Sequence, residues 1–162
     1  PGSINLRPFR SLKLSTFEED LNINFLSMVK SLQKVINNLK KSGNASVVLF
    51  STVAVKVGMP FHTSVSASKG AIEGFARSLA AEYAPLLRVN VIAPSLTDTP
   101  MAQRFLNNDL KKEKVGDKHP LKRHGNANDI ANSVVHLLSD NSSWITGQTF
   151  GVDGGMSSIN LS

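Results

Sequence analysis

The chain contains no cysteine. That excludes a disulfide scaffold, a thiolate metal site and a cysteine nucleophile. Its four histidines, His62, His119, His124 and His136, are scattered without H-x-x-x-H or H-E-x-x-H spacing, so no metal site is expected. The longest apolar run, Ser46 to Phe50, is far too short to span a bilayer. No basic, apolar, small-residue leader opens the sequence. No group of glycines follows a strand as a phosphate-cradling turn. The expectation is a soluble, cytoplasmic protein with no membrane partner.

What is present suits one globular domain. Across 162 residues, 41% are hydrophobic and 19% charged, enough apolar material for one core and too little charge for disorder. The net charge of +6 raises nucleic acid as a partner. Much of it lies in one stretch with Arg104, Lys111, Lys112, Lys114, Lys118, Lys122 and Arg123. There Asp109, Glu113 and Asp117 interleave, and Phe105 is the single aromatic. Without a stacking platform this reads as a solvated basic loop, and no nucleic acid is expected.

Residues 16–40 read as a helix. Thr16 is the expected N-cap, with Glu18, Glu19 and Asp20 in the first turn, where carboxylates suit the helix dipole. Leu21, Phe25, Met28, Leu32, Val35 and Leu39 make an apolar stripe, and Gly43-Asn44 stops it. Residues 46–50 read as a strand buried on both faces, 63–84 as a long helix ended by Pro85, and 88–93 as a second strand. Residues 100–125 read as a polar, basic loop. A third helix starts at Asn128 or Asp129, with Ile130, Val134, Leu137 and Leu138 on its apolar face. Residues 149–152 form the last strand, followed by the Asp153-Gly154-Gly155 turn. Gly70 and Gly74, at G-x-x-x-G spacing, read as small residues for close packing. The alternation is that of an α/β protein with a parallel sheet.

Several ordered motifs carry a resemblance: Asn22-Ile23-Asn24, Leu49-Phe50-Ser51-Thr52-Val53-Ala54 and Val65-Ser66-Ala67-Ser68-Lys69-Gly70-Ala71. Further on come Arg88-Val89-Asn90-Val91-Ile92-Ala93-Pro94-Ser95, Leu96-Thr97-Asp98-Thr99-Pro100-Met101, Thr146-Gly147-Gln148 and Val152-Asp153-Gly154-Gly155. Together they resemble the short-chain dehydrogenase/reductase family over nearly the whole chain. The resemblance implies a Rossmann-type, doubly wound α/β oxidoreductase that uses NAD or NADP on a small alcohol or carbonyl substrate. It implies catalytic roles for Asn24, Thr52 and Lys69, and cofactor contacts from Lys69, Pro94, Ser95, Thr97 and Thr99. It also implies a homodimer or homotetramer built through the two long helices, and a substrate-lid role for residues 100–125.

The chain departs from that family's pattern. Val65 stands four residues before Lys69, where the family places its proton-transferring tyrosine. Valine cannot give or take a proton. Tyr83, the one tyrosine, lies eighteen residues further on and reads as a packing residue. Thr52, thirteen residues before Val65, stands at the serine position with Ser51 beside it. His62 lies three residues before Val65 and reads as a loop histidine. Ser95 stands where the family has glycine. Pro1-Gly2 falls where the family's first half ends, so residues 1–162 are expected to be a single partial Rossmann domain lacking the nucleotide-binding half, roughly 80–90 residues. A second reading is a catalytically inactive relative that keeps the fold for binding or subunit assembly. A third is a basic module for nucleic acid or a membrane surface.

Overall fold

The computed structural model describes residues 2–160. Pro1, at which the expected break with the family's first half falls, lies outside them.

Three parallel strands, β1 (Ala45–Phe50), β2 (Leu87–Pro94) and β3 (Thr149–Val152), form a sheet in the order β1-β2-β3. Val47 pairs with Val89, and Ile92 with Phe150. The central strand is buried on both faces, with Leu87, Val89, Val91 and Ile92 essentially inaccessible. Each such side chain contributes about 1.5–3 kcal/mol of burial.

Helices cover both faces of the sheet. On one face lie α1 (Leu14–Leu21), α2 (Ser27–Ser42) and α4 (Thr63–Tyr83). There Leu87, Val89 and Val91 meet Ile72, Ala76 and Ala80 of α4, with Phe25, Met28, Leu32, Ile36 and Leu39 around them. On the other face lies α6 (Ala127–Leu138). This is the Rossmann-like, doubly wound α/β arrangement expected from the alternation of elements.

The opposite face of β2 is held by polar groups. Buried Arg88 donates from Nη1 to the Leu137 and Ser142 carbonyls at 3.0 and 2.9 Å, and from Nη2 to the Ser139 carbonyl at 3.1 Å. It thereby adds a charged donor to carbonyls at and just beyond the end of α6, which also accept from the Ser46 and Ser142 hydroxyls and from Ser142 and Ile145 N–H. Asn90 donates to the Ile145 carbonyl at 2.9 Å and accepts from Gln148 N–H at 3.1 Å, while Val89 N–H donates to Thr146 Oγ1 at 3.0 Å. The Arg88-Val89-Asn90 and Thr146-Gly147-Gln148 motifs are therefore two halves of one clamp. Gly154 and Gly155 follow β3 at φ +62° and +89°. There a Cβ on Gly155 would come within 3.1 Å of Pro120.

Several element readings need correction. The first helix begins at Leu14 with Lys13 as N-cap and no side-chain cap, so Thr16 lies inside it and no carboxylate occupies the first turn. Asp20 is fully buried: it accepts from Ser3 Oγ, from Asn5 Nδ2 at 2.9 Å and from Ser64 Oγ at 2.6 Å. A π turn at Asn22–Leu26 then separates α1 from α2. Leu21 and Val35 of the expected stripe are exposed, and Ile36 packs against the core beside Met28, Leu32 and Leu39.

The third helix begins one residue earlier than expected, at Ala127. Asn126 is its N-cap, in a reciprocal capping box with Asp129. Leu138 is exposed. Gly70 sits in ordinary contact with Val55, and a Cβ on Gly74 would meet nothing within 4 Å. Residues 100–125 are not a loop. They hold a 3-10 turn at Pro100–Phe105 and helix α5 (Asp109–Asp117), capped by Asn108.

Candidate functional site

A cavity of about 1190 Å³ opens at the carboxyl ends of β1 and β2. In open α/β sheets, ligands bind at this end. Its wall brings together every site residue expected from the sequence: Asn24, Thr52, Val65, Lys69, Pro94, Ser95, Thr97 and Thr99.

β1 delivers Ser51 and Thr52 as it runs into the short helix α3 (Val53–Val57). Thr52 is the N-cap of α3 and accepts from Ala54 N–H at 3.3 Å, which leaves its hydroxyl proton for a ligand. The neighbouring Ser51 is buried and donates to Glu73 Oε1 at 2.6 Å. Its proton is already committed, so of the two hydroxyls only that of Thr52 is available to donate into the cavity.

Lys69 lies on α4, one turn after Val65, and four-residue spacing puts both on one helix face. Its Nζ donates to the Phe50 carbonyl at 3.0 Å, which holds the ammonium against the end of β1. Burial lowers the Lys69 pKa below the ordinary lysine value, because desolvation penalises the charged form. Val65 is 5% exposed and presents only methyl groups to the cavity.

Asn24 sits in the π turn and is buried. Its Nδ2 donates to Ser68 Oγ at 3.1 Å and Ser3 Oγ at 3.2 Å, while its Oδ1 accepts from Ser3 N–H at 3.0 Å. Both amide protons are thus used within the protein, and one acceptor position remains. Thr97 and Thr99 donate to the carbonyls of Ser95 and Thr97 at 3.0 and 3.3 Å, closing the turn after β2. Their oxygens can still accept.

Three contributors were not legible as site residues. The segment Gly2, Ser3, Ile4 and Leu6 forms one wall, fastened through Ser3 and Asn5 to Asp20. Ser68 supports Asn24. His119, 2% exposed, borders the same cavity. Its Nδ1–H donates to the Val115 carbonyl of α5 at 2.8 Å, so Nε2 accepts the Ser95 hydroxyl proton at 2.8 Å. The pair spans 24 positions of sequence, and only the Asp153-Gly154-Gly155 turn packed on the His119 ring hints at it.

His62 is therefore not the only histidine beside the cavity. It is the N-cap residue of α4, follows Phe61 at φ +68°, and places Nδ1 at 2.7 Å from the Pro60 carbonyl. With Nδ1–H donating there, Nε2 is left to face the cavity.

Residues 2–157 match the family described as enoyl-(acyl carrier protein) reductase. The chain belongs to the short-chain dehydrogenase/reductase family. It is 32% identical over 151 residues to a glucose 1-dehydrogenase of Gluconobacter oxydans, covering 92% of this chain and 57% of that protein. It is 36% identical over 149 residues to a peroxisomal 2,4-dienoyl-CoA reductase of Saccharomyces cerevisiae, covering 91% and 51%. The chain therefore spans little more than half the length of these short-chain dehydrogenase/reductase relatives. A gluconate 5-dehydrogenase of Burkholderia cenocepacia, solved with NADP and tartrate, superposes with a TM-score of 0.91 at 20% identity. That match covers 99% of this chain and 63% of the other, and shows the shared fold. No helix among the described residues is long and apolar enough to cross a membrane.

Proposed function

We propose that this chain is the substrate-facing part of an NAD(P)-dependent oxidoreductase that interconverts an alcohol and a carbonyl compound. The observation that carries the reading is the convergence of Thr52, Lys69, Asn24 and the Pro94–Thr99 turn on one cavity at the carboxyl ends of two parallel strands. In this reading the nucleotide-binding half belongs to a longer form of the protein, and the chain alone binds dinucleotide weakly.

A bound nicotinamide supplies or accepts the hydride. The residues here fit its ribose and ring: Lys69 has donors beyond the one given to Phe50, and the Thr97 and Thr99 oxygens line the turn. Thr52 Oγ1 donates to the substrate oxygen and orients the carbonyl. Lys69 adds a positive charge beside the oxygen that becomes negative during reduction. Asn24 keeps the helix face in register through Ser68 and Ser3. Exposed Val35 and the open space at Gly74 suit packing of α2 and α4 against a second copy, giving a homodimer or homotetramer.

The proton step is where the site is deficient, and one observation favours the second reading, a catalytically inactive relative. Val65 occupies the wall beside Lys69 with nothing to titrate. A positioned acid or base is worth about 10²–10⁴-fold. The test is a nicotinamide absorbance assay on the longer form with a panel of small ketones, with and without Val65→Tyr. Turnover is expected to be low with Val65 and to rise by about 10²–10⁴-fold with tyrosine. Robust turnover with Val65 in place overturns the expectation of a deficient site. His62→Ala then tests whether the His62 imidazole carries the proton. No gain with tyrosine, in a form that binds cofactor, supports the inactive reading.

A further inference from the structure

The cavity sorts charge in a way that the proposed reaction does not require. Helix α5 turns Lys111, Lys114, Val115 and Lys118 toward it. Their spacing of i, i+3, i+4 and i+7 is one helical face. Arg104 joins them from the preceding 3-10 turn, where its guanidinium stacks 4.7 Å from the Phe105 ring centroid and donates to the Ile4 carbonyl at 2.9 Å. Lys69 is a further cation in the lining. No Asp or Glu is among the residues that line the cavity. The carboxylates of this segment, Asp109, Glu113 and Asp117, all lie off the lining face.

Between these cations the wall is apolar, including Phe50, Val65, Met101, Phe105, Ile130 and Val134. Four cations on one side of a cavity with no counter-charge repel one another until an anion arrives. The apolar lining beside these cations suits a ligand that also carries hydrophobic surface.

We propose that this cavity takes an amphipathic anion: a substrate with an extended apolar body ending in a carboxylate or phosphate, which the α5 face and Arg104 hold. The word substrate rests on the oxidoreductase reading; the binding itself does not. The helix is suited to close on such a ligand. It packs only lightly on the rest of the fold. Its points of attachment are near its end: the His119 bond to the Val115 carbonyl, and buried Gly116, where a Cβ would stand 3.1 Å from the Lys122 carbonyl oxygen. The same oxyanion chemistry could come from the phosphates of a dinucleotide, so the test separates the two sources.

The probes are dodecanoate, dodecanol, pyrophosphate and NADP, titrated calorimetrically into the full chain at 50 mM salt. Dodecanoate is expected to bind about ten-fold tighter than dodecanol, as one or two partly desolvated ion pairs would give. The triple variant Lys111→Gln, Lys114→Gln, Lys118→Gln should bring the two ligands to parity. Glutamine is as good a helix former as lysine, so α5 should persist. Lys112→Gln, off the lining face, should leave the preference unchanged. Raising salt to about 0.5 M should erode the preference in the unaltered chain, which keeps the test informative should the triple variant unfold.

Equal binding of acid and alcohol overturns the proposal, as does a Lys112→Gln effect equal to that of the triple variant. If pyrophosphate and NADP bind in a manner abolished by the triple variant, while dodecanoate shows no advantage, the cations serve the cofactor and the substrate assignment falls. Loss of acid preference alongside a Val65→Tyr gain in turnover sinks this inference alone. Acid preference in a form that shows no turnover with either valine or tyrosine at position 65 sinks the oxidoreductase reading alone.

Discussion

Two polar regions lie toward opposite ends of β2 and behave in opposite ways. The clamp on β2 buries Arg88 and Asn90 and returns every bond inward, to the end of α6 and to Ile145–Gln148. The α5 segment instead keeps its cations at a cavity edge with few fixed partners. Both use basic residues. In the clamp, the guanidinium shares its carbonyls with backbone and hydroxyl donors and fastens the end of α6 to β2. On α5 the charge has few such bonds within the fold, and so is available to a ligand.

The sharpest way to break this contrast is Arg88→Met. It removes a buried guanidinium together with its charge-assisted bonds to the Leu137, Ser139 and Ser142 carbonyls, so the expected cost is about 3 kcal/mol. For a domain of this size that is a Tm drop of roughly 6–12 °C. A scan showing an unchanged Tm would mean that water enters and replaces the guanidinium.

A smaller effect is expected where the segment after α5 joins α6. The side-chain hydrogen bond from Arg123, with help from Asn126 N–H, holds the Asp129 carboxyl at about 2, below its ordinary 3.8. A lowered folded value means the contribution is complete above about pH 3.8 and is lost as pH falls through about 2. Melting the unaltered chain and Arg123→Gln side by side should therefore show a gap at neutral pH that narrows toward pH 2. A constant gap would place the role of Arg123 elsewhere.

The least effect belongs to Leu110→Ala on α5, where Leu110 is 61% exposed. It should alter stability by no more than about 0.5 kcal/mol. A larger loss in denaturant titration would show that α5 is part of the cooperative core, and would weaken the case for a lightly attached helix.

The legibility of the two regions differs for a physical reason. The strands, the long helix and α6 announce themselves through apolar runs and helical periodicity, because burial on a sheet demands those patterns. Helix α5 has a helical face too, but the face is lysine rather than leucine, so hydrophobic periodicity passes over it and the segment reads as a loop. The π turn at Asn22–Leu26 is invisible in sequence for a related reason: nothing in Asn22-Ile23-Asn24 prescribes an extra residue per turn. Asp20 shows how local rules mislead. Near a helix start, a carboxylate reads as a dipole partner, yet its three donors come from Ser3, Asn5 and Ser64.

By itself the sequence determined the order of the three strands and the long helices, the parallel sheet and the family. These are properties of residue type and spacing along one chain. Only the tertiary structure decided that Thr52 rather than Ser51 has a hydroxyl to offer, since that depends on Glu73 of α4 taking the other proton. It likewise decided that His119 is tied to Ser95 and that the α5 lysines face the cavity while the acids do not. Hydrogen-bond partnership and the facing of charges arise between elements distant in sequence. No local pattern records them until the chain has packed.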